Sequence, residues 1–234
     1  MNQDAMNNKR ASVFTHNGVE LYWLKHAGFK IKTEEGVIYI DPFHLKGNQE
    51  KADILFISHS HSDHLDENSI KAVIKPETTI ICADECKSKI STMIQSVDMI
   101  SLFPNNDYIF GHLKIHATPA YNVTKDFHPK DNQWLGFVIE LQDTKIYFAG
   151  DTDCLDELKS IECDIGLFPV SGIYVMDPFQ AANLANAIKP KVIAIPMHWG
   201  ALLDDENRLV GNEEDAEKFC QLYKGPSQIL SPIA

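Results

Sequence analysis

The sequence has few basic residues for its length and no long apolar run. Lys and Arg number 21 against 33 Asp and Glu, which gives the 234-residue chain a formal net charge of −12. This balance argues against a nucleic-acid partner, because binding to phosphates depends largely on Lys and Arg. No stretch approaches the roughly 20 consecutive apolar residues of a membrane helix, so membrane insertion is not expected either.

The cysteine pattern and the first residues bear on where the protein works. Five cysteines are an odd number, and their positions lack the spacing of a disulfide framework. Such usage is typical of buried free thiols in a reducing compartment. Residues 1–10 are polar, without an apolar segment of signal-peptide length. We therefore predict a cytoplasmic protein with a flexible tail at residues 1–10 and one domain at residues 11–234.

The apolar pattern predicts strands first, then strands alternating with helices. Short β-type runs at residues 19–24, 29–33 and 37–40 are separated by turn signals, which favours an antiparallel meander. Further strands are predicted at residues 53–57, 79–82, 108–110, 113–117, 135–141, 145–148, 164–168 and 192–195. Helices are predicted after Asp66, at 85–94, after Asp177 and from Asn212 to Lys224-Gly225. This order predicts an α/β (α+β) domain in which helices cover mixed sheets.

Four residues of metal-binding type follow the run 53–57 as a His-x-His-x-Asp-His cluster, namely His59, His61, Asp63 and His64. Neutral imidazole and carboxylate oxygen suit Zn²⁺, and also Mn or Fe. His59 and His61 lie two apart, so in extended chain they face the same way. Asp63 and His64 follow where the chain turns and can face another point. The cluster therefore predicts a site for two metals about 3.5–4 Å apart.

Two later positions extend this pattern. Asp151 lies in Phe-Ala-Gly-Asp-Thr directly after run 145–148, and His198 lies in Pro-Met-His-Trp-Gly after run 192–195. Alone, Asp151 is as easily a turn residue, and His198 a core histidine. The upstream cluster favours the interpretation of both as metal ligands.

These three motifs, in their order and separations, resemble those of the metallo-β-lactamase superfamily over about residues 20–230. The resemblance implies a four-layer αββα sandwich of two mixed sheets with the metals at one sheet edge. It also implies a distribution of ligands: His59 and His61 for the first metal, Asp63, His64 and His198 for the second, and Asp151 as a bridge.

The third ligand of the first metal departs from the commoner pattern of this superfamily. A histidine is usual at the position of Asn122, and an amide oxygen is a poor zinc ligand beside imidazole. His116 is nearby, but it shares a strand face with His112 and Lys114, which indicates a solvated position. His128 lies in a loop that can fold over the site. We predict His128 as the ligand and Asn122 as a substrate contact, with the reverse assignment open.

Three further residues are weaker candidates. Asp41, at a strand end, is expected either to hydrogen-bond a ligand imidazole or to start a turn. His26 precedes Gly28 near the metal edge and is predicted to contact substrate, with a structural role as the alternative. Tyr174 follows a buried strand, where substrate loops of α/β sheets lie, and is also predicted to bind substrate.

The resemblance implies a hydrolase of the small metal-dependent branch, which is similar to L-ascorbate-6-phosphate lactonase. Two divalent ions, Zn²⁺ first among them, would supply a metal-bound hydroxide that attacks an ester, lactone or phosphodiester of a small molecule. Asp63 and Asp151 are the expected catalytic residues. A metal-binding protein of this fold without hydrolase activity and a diiron redox protein are the alternatives. A homo-oligomer is compatible with the sequence.

Overall fold

The computed structural model describes residues 10–203, 207 and 209–233. The tail predicted at residues 1–10 lies, except for Arg10, outside the described residues. Two large sheets pack face to face around one apolar core. Their contact is seen at Phe56 of one sheet and Phe137 of the other, whose ring centroids are 5.1 Å apart.

The first sheet has seven strands in chain order: β1 Phe14–His16, β2 Val19–Lys25, β3 Gly28–Thr33, β4 Gly36–Ile40, β5 Ile54–Ile57, β6 Thr79–Ala83 and β7 Asp98–Leu102. Strands β1 to β4 pair antiparallel, which confirms the predicted meander, and β4 to β7 pair parallel. The sequence pattern did not predict β1 and β7. Both are edge strands that bury few side chains, so they carry little apolar periodicity.

The second sheet has six strands: β8 Asn106–Phe110, β9 Leu113–Pro119, β10 Leu135–Leu141, β11 Thr144–Phe148, β12 Ile165–Pro169 and β13 Ile193–Met197. Strands β8 to β11 pair antiparallel as two successive hairpins, and β11, β12 and β13 pair parallel. The turns fall at Gly111 and at Gln142-Asp143, as predicted. A small hairpin of β14 Leu202–Leu203 and β15 Leu209–Val210 was not predicted.

Four helices are described: α1 Glu67–Val73, α2 Cys86–Met93, α3 Pro178–Ile188 and α4 Glu213–Leu222. Their predicted caps Asp66, Asp177 and Asn212 each accept a hydrogen bond from a first-turn backbone N–H. Helix α2 packs on β6, α3 on β12 and α4 on β13, which confirms the four-layer αββα arrangement. None of the helices in the described part of the chain is long and apolar enough to span a bilayer.

The end of α4 differs from the prediction. The helix ends at Leu222, and Tyr223 is already extended, so Lys224 and Gly225 do not close it. Gly225 serves another purpose, because a Cβ at this position would collide with the phenol group of Tyr223. Glycine is therefore required here for close packing and not for a left-handed cap.

The parallel strands determine where the candidate site lies, since their carboxyl ends meet at one edge of each sheet. The residues that emerge there are Asp41 after β4, His59 after β5, Asp151 after β11, Ser171 after β12 and His198 after β13. Asp41 and His198 have positive φ angles of 41° and 61°. Such angles are costly without glycine and are concentrated at functional sites.

Candidate metal centre

Asp151 lies at the centre of a group of histidines from separate parts of the chain. Its Oδ2 is 3.0 Å from Nε2 of His198 and 3.1 Å from Nε2 of His128. Its Oδ1 is 3.3 Å from Nε2 of His64. One carboxylate therefore faces ring nitrogens on both of its oxygens, which is the geometry required of a bridging ligand.

His59, His61 and His128 form the first half of the site. Nε2 of His59 lies 3.1 Å from Nδ1 of His61 and 3.9 Å from Oδ2 of Asp151. One ring nitrogen from each of the three histidines falls within 4.8 Å of the others. The structure thus brings His128, and not Asn122, into the position of the third imidazole.

Asp63, His64 and His198 form the second half. Oδ2 of Asp63 lies 3.5 Å from Nε2 of His64 and 3.9 Å from Nε2 of His198. All seven residues predicted as ligands are therefore brought together. Metal binding by them stays a prediction that the geometry favours.

The donor set fits divalent cations. Among the described residues, the buried atoms without a hydrogen-bond partner include Nε2 of His64, Nε2 of His128 and Oδ1 of Asp151. Leaving such atoms unpaired in the interior is costly, so they require a partner. All three point into the space among the ligands, and nitrogen and oxygen donors are what Zn²⁺ and similar ions bind.

The pKa values of the ligands also fit cation binding. Burial, and then the neighbouring imidazoles, lower the pKa values of His59 and His61, so these rings are neutral and keep a lone pair free. Burial alone would raise the pKa of Asp151, but the imidazoles of His198 and His64 hold it well below its usual range. For His64, burial is outweighed by Asp151 and Asp63, which raise its pKa. A cation binding there would displace its proton.

Asp41 holds two of the ligands from behind. It is fully buried, and its Oδ2 accepts a hydrogen bond of 2.7 Å from Nδ1 of His64. Its Oδ1 accepts a hydrogen bond of 2.8 Å from the backbone N–H of Ser58. The hydroxyl of Ser58 also donates to Asp41, and its oxygen lies 2.9 Å from Nδ1 of His59. These contacts fix both rings with Nε2 towards the centre. The expected role of Asp41 is thus seen, whereas Ser58 was not singled out in the sequence.

Asn122 and Ser171 hold two further histidines of the site, His128 and His198. Nδ1 of His128 lies 2.9 Å from Oδ1 of Asn122, and Nδ1 of His198 lies 2.9 Å from Oγ of Ser171. The amide nitrogen of Asn122 donates to Asp153 and to the carbonyl of Tyr174, both at 3.1 Å. The side chain of Asn122 is therefore occupied within the protein, which disagrees with the predicted substrate contact. Its amide orients His128.

Asp153 anchors the loop that carries His128, and sequence reasoning missed it. Its carboxylate accepts hydrogen bonds of 2.8 Å from the backbone N–H of Val123 and from Nζ of Lys125, besides the bond from Asn122. Burial opposes ionisation, but Lys125 and Val123 lower the pKa of Asp153 overall. The only signal in the sequence is its position two residues after Asp151.

His26 lies at the metal edge, and its contacts fit the structural alternative better than the predicted substrate contact. It is fully buried, with Nε2 2.9 Å from Oδ2 of Asp63 and its ring centroid 3.9 Å from that of His198. Burial lowers the pKa of His26 to about 3, so the ring is neutral and its N–H donates to Asp63. The ring does not line the pocket that opens onto the ligands, and its hydrogen bond orients Asp63. Its left-handed backbone (φ 52°) and the hydrogen bond from the His198 N–H to its carbonyl oxygen fix this position.

A pocket of about 320 Å³ opens onto the ligands and is lined by His61, Ser62, Asp63, Phe127, His128, Asp151, Tyr174 and Leu202. Tyr174 thus lies in its wall, where substrate contact was predicted, and its ring meets that of Phe127 edge to face at 4.7 Å. Trp134 packs beside the rings of His59 and His61 at 4.8 and 4.7 Å. Sequence reasoning missed Phe127, Trp134 and Leu202, although Phe127 directly precedes His128.

Comparison with known proteins gives consistent matches. The model of the β-lactamase superfamily domain matches residues 20–198. The UPF0173 metal-dependent hydrolase of Methanobrevibacter smithii is 30% identical over 200 residues, which cover 77% of this chain and 82% of that protein. The one from Koribacter versatilis is 28% identical over 227 residues, covering 88% and 93%. A candidate metal-dependent hydrolase from Parabacteroides distasonis has a solved structure with a TM-score of 0.80 at 26% identity, covering 95% of this chain and 99% of that one.

Proposed function

The chain belongs to the β-lactamase superfamily domain family, and we propose that it is a hydrolase that uses two divalent metal ions to cleave an ester, lactone or phosphodiester bond of a small molecule. The metal-dependent hydrolases of Methanobrevibacter smithii and Koribacter versatilis support the general activity. The kind of bond is our own proposal, drawn from the chemistry of the site.

One observation carries the proposal. Seven ligand-type side chains converge, four of them line a pocket of about 320 Å³, and several of their buried polar atoms have no hydrogen-bond partner among the described residues. Divalent ions held there would ionise a water molecule and polarise the bond to be cut. Two ions fit the arrangement, because Asp151 lies between the two halves of the site, with its Oδ2 near His128 and its carboxylate also near His64 and His198.

The residues of this chain supply the remaining requirements. Burial opposes ionisation of Asp63, but His64 and His26 lower its pKa, so Asp63 is a carboxylate at the pocket floor. It can accept a proton from the attacking water or orient that water towards the substrate. His26 donates to Oδ2 of Asp63, the oxygen that also faces His64 and His198, and Oδ1 is not engaged by these three rings. Tyr174, in the pocket wall, is placed to contact the substrate.

We place Zn²⁺ first among the metals, because three imidazoles in the first half of the site favour it. Mn²⁺ and Fe are the alternatives. The five cysteines are free thiols, which supports the cytoplasm as the compartment.

The test measures metal content and turnover together. Protein purified without chelators is expected to contain divalent metal and to hydrolyse members of a panel of lactones, aryl esters and aryl phosphodiesters. A chelator should abolish turnover, and Zn²⁺ or Mn²⁺ should restore it. His59→Ala and Asp151→Asn should lose metal and turnover while remaining folded by circular dichroism. His116→Ala, a half-exposed histidine 2.8 Å from Asp107 on the outer strands, is the matched control and should change neither.

Two results would end this proposal. The first is purified protein that takes up no divalent ion from a metal buffer. The second is full turnover in Asp151→Asn. Metal uptake without turnover on any substrate would favour the alternative of a metal-binding protein, and iron with visible absorbance would favour redox chemistry.

A further inference from the structure

Resting on the proposed function, we propose that the substrate carries an uncharged apolar group beside the bond to be cut and no anionic group beyond that bond. The pocket wall opposite the ligands is built for apolar contact. Apart from ligand-type residues, the pocket is lined by Ser62, Phe127, Tyr174 and Leu202. Phe127 and Tyr174 form an edge-to-face pair, which gives the wall a defined shape.

The shortage of positive charge at the pocket also favours a substrate without a remote anionic group. None of the described residues that line it is Lys or Arg. Lys125, from the loop that carries Phe127, is engaged by Asp153 at 2.8 Å and by the carbonyl of Val175 at 2.6 Å. Lys89, near the histidine cluster, is engaged by Ser60 at 2.7 Å. Among the described residues, a remote phosphate or carboxylate on the substrate would therefore meet no unpaired Lys or Arg at the pocket, in a protein of net charge −12.

The chain segments that supply the pocket wall also carry exposed apolar side chains. Single exposed apolar side chains are normal, but a concentration of them marks a binding site. Of the nine large apolar side chains that are exposed among the described residues, five belong to the chain segments that supply the pocket wall: Val123, Phe127, Ile173, Leu203 and Leu209. These segments are the loop before His128, the loop that follows β12, and the β14–β15 hairpin. Phe127 is one of these and lines the pocket itself, so an apolar substituent of the substrate meets an exposed apolar side chain there.

The experiment uses the Zn²⁺-loaded protein and a series of p-nitrophenyl esters from acetate to octanoate. We expect kcat/KM to rise by up to about fourfold per methylene until the pocket is filled, the limit set by full burial of each group. Mono-p-nitrophenyl esters of succinic and glutaric acid match the neutral esters in length but add a carboxylate. They should be at least tenfold slower than the neutral esters of equal length.

Variants locate the effect. Phe127→Ala and Tyr174→Ala should flatten the dependence on chain length while the metal content stays unchanged, and Phe127→Leu should restore most of it. Ile109→Ala is the matched control, because Ile109 is 80% exposed on the edge strand β8 and should leave the series unaltered.

The proposal is separable from the proposed function. If no ester is hydrolysed, alkyl hydroxamic acids of increasing length serve as metal-binding probes, measured by calorimetry on the metal-loaded protein. Tighter binding of the longer neutral probes over their carboxylated counterparts would uphold the apolar pocket although the hydrolase proposal had failed. Equal or tighter binding of the carboxylated probes, a flat ester series, or faster anionic esters would overturn it. A change of oligomeric state in Phe127→Ala would also overturn the proposal, since the exposed apolar side chains would then form an interface between copies of the chain.

Discussion

Replacing Asn122 by alanine tests the division of labour between Asn122 and His128. The substitution removes the amide oxygen that lies 2.9 Å from Nδ1 of His128, and it removes the amide donor to Asp153 and to the Tyr174 carbonyl. His128 would keep its own nitrogen for the metal but lose the contact that fixes its ring and tautomer.

The expected size of the effect follows from these contacts. Loss of an outer partner of a metal-binding histidine costs about 10- to 100-fold in metal affinity. The hydrogen bonds lost are worth roughly 0.5–1.5 kcal/mol each, and the Tyr174 carbonyl is left without this donor. Asn122 makes four such bonds, the fourth being the one from the His128 backbone N–H to Oδ1 at 3.1 Å, so we expect the unfolding free energy of the metal-free protein to fall by about 2–6 kcal/mol. One metal should bind 10- to 100-fold more weakly, and the other with unchanged affinity.

The assay is a competitive titration of the metal-free protein against a chromophoric chelator, with urea unfolding measured on the same samples. Asn186→Ala is the matched control, because the amide of Asn186 also makes hydrogen bonds in both directions. It accepts from the Lys224 backbone N–H at 3.0 Å and donates to the Leu222 carbonyl at 3.3 Å. It should lose stability and keep both metal affinities. His128→Ala should lose one equivalent of metal altogether.

The reverse pattern would refute the reasoning. If Asn122→Ala lost a whole equivalent of metal and His128→Ala only weakened binding, the amide would be the ligand. Unchanged affinity in Asn122→Ala would show that the hydrogen bond to His128 does not position the ring.

Three further predictions concern the surroundings of the site. His26→Ala leaves the Asp63 oxygen without its 2.9 Å partner, so one metal should bind about 10- to 100-fold more weakly in the same titration; equal weakening of both metals would contradict the assignment. Asp153 has a pKa lowered by Lys125, so it stabilises the fold above its unfolded pKa of about 3.9 and loses this contribution as the pH falls through its folded pKa. The stability deficit of Asp153→Asn, from urea unfolding of metal-free protein, should therefore shrink below about pH 3.9, and a constant deficit would argue against it. Phe137→Ala opens the core between the sheets and should cost about 3–5 kcal/mol of unfolding free energy, whereas a loss near zero would mean that the sheets do not pack there.

Much of the fold could be predicted from local sequence, and for clear reasons. The meander, both hairpins and the capped helices carry signals within a few residues: alternating apolar residues, turn residues and polar caps at Asp66, Asp177 and Asn212. The edge strands β1 and β7 were missed because an edge strand buries little and needs no strong pattern. The predicted end of α4 was wrong because a glycine after a helix is a common stop signal, whereas Gly225 is needed here for packing against Tyr223.

Six of the seven expected ligands could also be named in advance, since His59 to His64 form a dense local motif and Asp151 and His198 follow strands, whereas the choice of His128 over Asn122 stayed open. The roles of Asn122 and His26 were decided only by the tertiary structure. Each has its partners far along the chain, with Asn122 bonded to Asp153 31 positions away and His26 to Asp63 37 positions away. Whether a polar side chain faces a substrate or a neighbour depends on which strand ends meet at the sheet edge. That meeting is set by packing of the whole core, and no local pattern of residues records it.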